Sequence, residues 1–517
     1  MLNKWGNLPR RAFLQAAGLS ALGCLNKAAA STANVELALQ ATQFEVPLWP
    51  GAPTRVWGYR GEVLAGDPRS LQPLQAPARG YPTRYPRLFN QAPPRRGSAP
   101  YSYLGPLIRV RRGQRVRIHF TNQLPEATVM HWHGLHVPPE ADAHPSLLVA
   151  PGQSYVYEFD VLNRAGTYWF HPHPDGRTAQ QVYHGLAGLF LISDADEEAA
   201  GLPAGAADVP LVLQDRLVDG DNQFVYPTNV TMEGALGDRI LVNGQHDFTV
   251  DVTRRVYRLR LLNGSNARIY KLAWDDGTPL QVIGTDGGLL ERPAERAFVM
   301  LAPGERIELW ADFSGRAVNS ELQLRSLAFS AGGMGGAQAL PNGAAFTVLN
   351  VRVTDGPREP GVLPAQFAKL ERYRLEDAVN RLAPRSFAVS MAMQPGGMRW
   401  LLNGRAYRED EIAANEVVLL NTTEVWELSN AAGTMMNMPH PLHIHGGQFQ
   451  VLERQGGDAT VRQGLVDEGW KDTVLLMPGE RIKVLLRFED FTGKYVYHCH
   501  NLEHEDAGMM RNYLVRG

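Results

Sequence analysis

The sequence predicts an all-β protein built from three similar domains, each a Greek-key sandwich or barrel of short strands. The length of 517 residues suits about three domains of ordinary size. The 51 Gly and 35 Pro residues favour frequent turns between short strands over long helices. A turn-and-strand pattern also recurs three times along the chain, so the architecture repeats.

Composition excludes several classes of protein. The 44% hydrophobic and 20% charged residues are ordinary globular usage, which argues against a disordered or fibrous chain. Lys plus Arg number 51 and Asp plus Glu 53, and the formal charge of −2 argues against a nucleic-acid partner. No apolar stretch reaches the ~18 residues that a membrane-spanning helix needs, so we expect no transmembrane segment. We expect a monomer.

Residues 1–33 predict an export signal rather than part of the fold. The Arg-Arg-Ala-Phe-Leu segment at 10–14 resembles a twin-arginine signal, and an apolar run at 16–25 follows it. Small residues after that run suit cleavage, so we expect a periplasmic protein. Two alternatives stay open for this segment: a short amphipathic helix, and a lipid anchor at Cys24.

Cysteine usage indicates a ligand rather than a disulfide. The two cysteines are Cys24 and Cys499, so removal of the signal leaves Cys499 alone. No internal disulfide can then form, and stability must come from the buried core. A lone thiol in an oxidising compartment is oxidised unless it is buried or bound to a metal.

The repeats divide the chain. Pro-Gly turns at 151–152, 303–304 and 478–479 each lead into an alternating apolar strand. An alternating strand ending in Asn lies earlier in each third, at 114–122, at 256–263, and at 416–421 continuing to Asn430. The first and last thirds also share a segment, at 166–173 and 493–500, whose first His lies twenty residues after the turn Pro in both copies. A register kept over that length indicates duplication.

Composition shifts place the expected boundaries. We expect domains at 34–198, 206–356 and 386–517, with a Gly- and Ala-rich seam between the first two. Residues 357–385 are expected to form a linker with one helical piece. The middle domain carries the strand pattern but no His pairs, which predicts a spacer role.

Ten of the 15 histidines fall into four clusters, each with a His-x-His pair. The clusters are His131-Trp132-His133, His171-Pro172-His173, His440 with His443 and His445, and His498-Cys499-His500 with His504. On a strand such a pair shares one face, and where the backbone turns it can straddle two metals. Eight imidazoles exceed the needs of one ion and indicate a multinuclear metal site. The remaining histidines, at 119, 136, 144, 184 and 246, are expected to be ordinary surface or core residues.

Cys499, His440, His504 and Met509 form a second ligand set. One thiolate, two imidazoles and a weak thioether are the blue-copper electron-transfer combination. The spacing His-Cys-His-x3-His-x4-Met places Cys499 between His498 and His500, so a covalent path of few bonds would join the two sites.

These motifs resemble those of the three-domain multicopper oxidases, the group of laccases, bilirubin oxidases and cuprous oxidases, over essentially the whole chain after the signal. The resemblance implies three cupredoxin-like domains and four coppers per chain, with a three-copper cluster between the first and last domains. It assigns a type 1 copper to His440, Cys499, His504 and Met509, a type 2 copper to His131 and His443, and a type 3 pair to His133, His171 and His500 on one side and His173, His445 and His498 on the other.

The resemblance also implies the reaction. Four one-electron oxidations of a donor at the type 1 copper, passed on through Cys499, would reduce O2 to two waters, and the coppers would give a blue absorption with a near-ultraviolet shoulder. Asp142 and Glu505 match positions of proton-relay carboxylates, and the alternative is that they only orient ligands. We expect Asp472 to be structural, and Trp132 and Trp169 to serve packing.

The sequence says less about the identity of the electron donor than about the metal ligands. Met435, Met436 and Met438 precede His440, whose edge faces substrate in this family, and Met391, Met393 and Met398 form the only similar cluster. Thioethers bind Cu(I) or line an apolar pocket for an aromatic donor. No acidic residue accompanies 435–438, unlike in cuprous oxidases, which favours a laccase-like oxidase of phenols. The alternatives are a cuprous oxidase for copper tolerance, a non-enzymatic cell-envelope relative, and a copper nitrite reductase, which lacks the extra His pairs.

Overall fold

A computed structural model describes residues 33–74, 102–228, 232–332, 340–394, 397–431 and 438–517. The predicted signal, with Cys24, lies outside the described residues apart from Ala33, and so do Met435 and Met436. None of the helices in the described ranges is long and apolar enough to cross a membrane.

Strands dominate the described residues and form three pairs of sheets. The first pair contains β1 Val35–Val46, β2 Thr54–Ala65, β3 Leu71–Gln72, β4 Leu107–Arg111, β5 Arg115–Asn122, β6 Met130–His133, β7 Ser154–Asp160, β8 Gly166–Pro172 and β9 Gly188–Ser193. The second contains β10 Asp208–Arg216, β11 Arg239–Val242, β12 Gln245–His246, β13 Thr249–Val252, β14 Val256–Asn263, β15 Tyr270–Trp274, β16 Leu280–Thr285, β17 Gly288–Arg296, β18 Val299–Leu301, β19 Arg306–Asp312, β20 Glu321–Ser326 and β21 Phe346–Val353. The third contains β22 Arg385–Gln394, β23 Gly397–Leu402, β24 Val417–Leu419, β25 Thr422–Ser429, β26 His440–Ile444, β27 Phe449–Gly456, β28 Thr473–Leu476, β29 Glu480–Phe488, β30 Gly493–Cys499 and β31 Met510–Arg516.

Helical segments are short. The α-helices are α1 Pro139–Asp142, α2 Thr178–Tyr183, α3 Ala195–Ala199, α4 Ala459–Arg462 and α5 Leu502–Asp506. The 3-10 turns are Pro68–Ser70, Gly205–Ala207, Leu375–Asp377 and Ala414–Glu416. The all-β fold class predicted from the sequence is therefore confirmed.

Each sheet pair encloses its own apolar core. The strand orders are β2-β1-β5-β7 with β3-β4-β9-β8-β6, then β12-β11-β10-β14-β19-β16-β17 with β13-β21-β20-β15-β18, and finally β23-β22-β25-β29-β27 with β24-β31-β30-β26-β28. Alternation selects the inner face: in β5, Val116, Ile118 and Phe120 are fully buried while the intervening side chains face outward. The predicted boundaries at 34–198, 206–356 and 386–517 stay a proposal.

The repeated turns behave as the sequence predicts, with one exception. The three Pro-Gly turns lead into β7, β19 and β29, and the preceding strands are β5 and β14 in the first two copies. In the third copy the strand breaks at Asn421, whose φ of +62° turns the chain, so β24 and β25 lie in different sheets. The predicted linker contains a single 3-10 turn at Leu375–Asp377 as its helical piece.

Two strand pairs carry the histidine clusters. β6 runs antiparallel to β8, with His131 opposite His171. β26 runs antiparallel to β30, with His443 opposite His498. The ends of these four strands, from the first and third sheet pairs, meet at one buried site.

Candidate metal centre

Eight imidazoles converge between the first and third sheet pairs. None of them is more than 1% exposed, and they are His131, His133, His171, His173, His443, His445, His498 and His500. Pairs from different sheets come close: the Nε2 atoms of His131 and His443 lie 3.4 Å apart, and those of His173 and His498 lie 3.2 Å apart. The structure thus brings together all eight histidines of the four His-x-His pairs.

Hydrogen bonds at the outer edge of these rings decide their tautomers. His131 Nδ1 donates to the backbone carbonyl of Asp142 at 2.9 Å, and His443 Nδ1 donates to that of Asp472 at 2.8 Å. A carbonyl oxygen only accepts, so each of these Nδ1 atoms carries the proton. In a neutral imidazole the other nitrogen is then a lone-pair acceptor. Both Nε2 lone pairs consequently face each other across 3.4 Å.

Two further pairs, His445 with His498 and His133 with His171, also have acceptor nitrogens that face each other. His445 donates from Nδ1 to Asp142 Oδ2 and His498 from Nδ1 to Cys499 O, which leaves their Nε2 lone pairs 3.0 Å apart. His133 donates from Nε2 to Asp472 Oδ1 and His171 from Nδ1 to Pro172 O, so His133 Nδ1 and His171 Nε2 face each other at 3.4 Å.

Burial keeps His131, His443 and His445 neutral, so a shared proton does not hold the acceptors of the His131–His443 pair together. Burial lowers the pKa of His131, His443 and His445 well below the ordinary 6.5, and neighbouring imidazoles lower it further. Facing lone pairs in a dry site repel each other unless a cation lies between them. The donor set therefore fits metal ions, and imidazole suits copper.

His500 and His173 complete the cluster with free ring atoms. Both nitrogens of His500 and Nδ1 of His173 have no hydrogen-bond partner within the described residues. The ring of His500 lies 4.9 Å from that of His133 and 5.3 Å from that of His171, centroid to centroid. Buried polar atoms without partners are rare, so these nitrogens are available as ligands.

A second donor set lies at the end of β30. The Cys499 sulfur is 3.6 Å from His440 Nδ1 and 3.7 Å from His504 Nδ1, and the two Nδ1 atoms are 3.3 Å apart. His504 Nε2 donates to the carbonyl of Met232, so its Nδ1 is an acceptor that faces Cys499. All three residues are fully buried.

Met509 and Trp400 surround this second set. Met509 is fully buried, its backbone N–H donates to His504 O, and its carbonyl accepts from the Cys499 N–H. The indole of Trp400 lies 4.2 Å from the His504 ring and 5.1 Å from the His440 ring. Neither Trp400 nor the Met232 carbonyl is predictable from the sequence, because nothing local in the sequence connects them to the ligands.

The two predicted relay carboxylates contact the cluster. Asp142, at the end of α1, is 1% exposed and accepts from His445, and burial raises its pKa well above the ordinary value. Glu505, in α5, places Oε2 3.1 Å from His498 Nδ1 and Oε1 3.6 Å from His173 Nε2. Burial opposes charge on Glu505, but these two imidazoles outweigh it and lower the pKa of Glu505 to about 2.

Asp472 does more than the structural role expected of it. Its carboxylate accepts from His133 Nε2 at 3.0 Å, and its backbone carbonyl accepts from His443. Arg306, from the middle sheet pair, donates two hydrogen bonds to this carboxylate, at 2.7 and 2.5 Å. The expected spacer role of the middle third therefore needs correction, because its side chains reach the residues that orient the cluster.

The remaining predictions concern packing. Trp169 lies 5.1 Å from the ring of His133 and 4.3 Å from that of His171, while Trp132 is buried among Tyr157, Phe159 and Phe170. The histidines outside the clusters have other partners: His119 contacts Glu36, His136 contacts Asp490, His246 contacts Asp247, His144 bonds to Asn512, and His184 stacks on Trp57.

Comparisons with known proteins find multicopper oxidases. Two family models, both described as multicopper oxidase, match residues 100–197 and 382–517. The multicopper oxidase mco of Staphylococcus aureus is 31% identical over 79% of this chain and 81% of its own length. A laccase of Bacillus stratosphericus is 32% identical over 79% of this chain and 88% of its own length.

Solved structures give the same family. The McoA multicopper oxidase of Aquifex aeolicus has a TM-score of 0.74 and 31% identity, covering 94% of this chain and 97% of its own. A multicopper oxidase of Campylobacter jejuni, described as a metallo-oxidase, has a TM-score of 0.72 and 25% identity, covering 93% of this chain and 91% of its own.

Proposed function

The chain belongs to the multicopper oxidase family, and from this premise we propose that it is a laccase-like oxidase that couples four one-electron oxidations of phenolic or similar donors to the reduction of O2 to two waters. Cys499, His440, His504 and Met509 would hold a type 1 copper. The eight clustered histidines would hold a type 2 copper and a type 3 pair. Copper bound there would supply one-electron redox chemistry and O2 binding.

The proposed ligand division is the one that the family resemblance implies, and the facing nitrogens support it. His131 and His443 would bind the type 2 copper. His133, His171 and His500 would bind one copper of the type 3 pair, and His173, His445 and His498 the other. The first assignments are supported by the 3.4 Å separations of His131 from His443 and of His133 from His171. The last is supported by the separations of 3.2 and 3.0 Å that His498 makes with His173 and His445.

The chain's own residues connect and supply the two sites. Cys499 is covalently linked through one peptide bond to His498 and through another to His500, so an electron entering at its sulfur has a short bonded path to the cluster. Asp142 and Glu505 contact cluster histidines from two sides, and they would hold and deliver protons there. The surrounding burial excludes bulk water.

The observation that carries this proposal is the set of three acceptor pairs that face each other beside a buried Cys499 with two imidazoles. The first experiment measures copper content and the absorption spectrum of the mature, copper-loaded protein. We expect about four coppers per chain, a blue absorption from Cys499 ligation and the near-ultraviolet shoulder of the family. One copper or none would refute the oxidase proposal and favour a non-enzymatic cell-envelope role.

One observation favours a second candidate, a cuprous oxidase for copper tolerance. In the β22–β23 hairpin Met391 pairs with Trp400 and Met393 pairs with Met398, so the three methionines share a face with Trp400, which contacts both type 1 histidines. Met393 is 73% exposed at the hairpin end, where thioethers are accessible to Cu(I).

Donor competition distinguishes the two candidates. Oxygen uptake is measured with a phenol and with Cu(I), in wild type and in a variant with Met391, Met393 and Met398 replaced by Leu. A laccase-like enzyme oxidises the phenol at the same rate in both proteins. A selective loss of Cu(I) oxidation in the variant would instead assign the cuprous role.

We also propose export to the periplasm through the twin-arginine-type signal at 1–33. The support is the Arg-Arg-Ala-Phe-Leu segment at 10–14 with its apolar run. Replacing Arg10 and Arg11 together by Lys should leave the precursor in the cytoplasmic fraction, whereas unchanged periplasmic recovery would contradict the proposal. The intact mass of the exported protein would reveal a lipid at Cys24.

A further inference from the structure

The middle sheet pair reaches the cluster through one turn, Pro303 to Arg306, here called the 303–306 turn. It is the second copy of the repeated Pro-Gly turn. The residue three places after the Pro is Ser154 in the first copy and Arg481 in the third, and both are exposed. In the middle copy the same position is Arg306, which is fully buried. The middle copy of the turn is therefore buried at a position that is exposed in the other two copies.

Arg306 joins all three sheet pairs. Its Nε donates to Thr167 O at 2.9 Å, on β8 four residues before His171. Its two terminal nitrogens donate to the Asp472 carboxylate, and they also donate to Gly304 O and Asp286 O at 3.0 and 2.9 Å. A planar guanidinium that makes five such bonds holds its acceptors in one arrangement.

Asp472 transmits this arrangement to two histidines of the cluster. Its carboxylate fixes His133 and its carbonyl fixes His443, as described above. Partners on the outer nitrogen of a metal-binding histidine set the tautomer and the ring orientation. None of the hydrogen bonds of Arg306 goes to either imidazole, so it acts on their orientation through Asp472.

Gly304 contacts the cluster directly. A Cβ built on Gly304 would lie 2.9 Å from Cγ and Cδ2 of His500, closer than side chains tolerate. The backbone of the turn thus lies close to the imidazole whose two nitrogens have no partner among the described residues. Any side chain at this position must push His500 away.

We propose that the 303–306 turn is a positioning element for the three-copper cluster, with Gly304 setting His500 and Arg306 setting His133 and His443 through Asp472. This inference rests on the proposed function. It assigns to the middle domain a defined role in assembly of a site to which it contributes no ligand.

Gly304→Ala has a matched control in Gly152→Ala. Both glycines follow Pro in copies of the same turn, with φ of +84° and +76°, so alanine meets the same backbone strain at each. A Cβ at Gly152 has nothing within 4 Å. Only Gly304→Ala adds pressure on a cluster histidine.

Arg306→Lys has a control in Arg260→Lys. Arg260 is also buried, 3% exposed, and bonds to Asp208 and Glu308. Among the described residues, no hydrogen bond joins this charge network to a cluster histidine. Lysine keeps the charge at both positions and loses the planar fork.

The test measures copper content, blue absorption and the near-ultraviolet shoulder on the copper-loaded proteins. In Gly304→Ala and Arg306→Lys we expect the shoulder to fall by at least half, with loss of cluster copper, while the blue absorption is retained. Both controls should keep the wild-type ratio of shoulder to blue absorption. If each variant had the same ratio of shoulder to blue absorption as its control, the proposal would be overturned. If Arg306→Lys does not fold, the comparison of Gly304→Ala with Gly152→Ala decides. Wild-type protein without copper would overturn the proposed function itself.

Discussion

Replacement of Glu505 by Gln tests the predicted proton relay. Gln keeps the size of the side chain but cannot take up and release a proton near neutral pH. Glu505 is 1% exposed and lies 3.1 Å from His498 Nδ1, so no bulk water replaces it at that position. A positioned acid or base contributes ~100- to 10,000-fold to a rate. Because Asp142 remains on the other side of the cluster, we expect the lower end, a loss of about 100-fold, equal to about 2.7 kcal/mol in the barrier.

The assay is reoxidation of the fully reduced protein by O2 in a stopped-flow instrument, together with steady-state O2 uptake. The blue absorption should be unchanged. Among the described residues, no hydrogen bond joins the Glu505 side chain to the side chain of Cys499, His440 or Met509. Glu503→Gln is the matched control. Glu503 lies on the same short helix and is 3% exposed, and it accepts from Asn266 and Tyr226. Among the described residues, no hydrogen bond joins it to a cluster histidine.

We expect Glu503→Gln to reoxidise within about twofold of wild type, since it leaves the cluster contacts intact. Wild-type reoxidation in Glu505→Gln would refute the relay. An equal loss in both variants would instead assign the effect to the helix rather than to the Glu505 carboxylate.

Three further predictions concern the thiolate, pH and a buried ion pair. Cys499→Ser should abolish the blue absorption and lower copper content by about one per chain, because a hydroxyl does not replace the soft thiolate; an unchanged spectrum would contradict the ligand assignment. Burial, and after it the charge of Arg216, lowers the pKa of His184 from 6.5 to about 4. The unfolded chain therefore takes up a proton at a higher pH than the folded chain does. As the pH drops from 6.5 to about 4, the free energy of unfolding should fall by up to about 3 kcal/mol. His184→Phe, which keeps a ring on Trp57, should remove that loss in urea unfolding, and a parallel pH profile would reject the assignment. Arg268→Met leaves the fully buried Asp215 without its ion-pair partner and should cost ~3–5 kcal/mol of unfolding free energy, largely recovered when Asp215 is also replaced by Leu.

The features that were predictable from the sequence are those that depend on local patterns. Strand alternation, Pro-Gly turns and His-x-His spacing are properties of neighbouring residues, so β5, β14 and the histidine clusters were predictable. The break at Asn421 was not, because the alternating pattern continues through it while the chain changes sheets. The relay positions of Asp142 and Glu505 came from family resemblance rather than from any local pattern.

The sequence by itself determined the all-β class, the three repeats and the kinds of ligand available, since these depend on residue type and short spacing. Tertiary structure alone decided which nitrogens face each other, because the partners of His131 and His133 lie in the third sheet pair, more than 300 residues away. It also decided that Arg306 holds Asp472 across 166 residues and that Gly304 lies against His500. Such contacts depend on how separate sheets pack, and no local periodicity encodes them. The physical reason is that tautomer, orientation and burial of a ligand are set by the atoms behind it, and here those atoms come from another sheet pair.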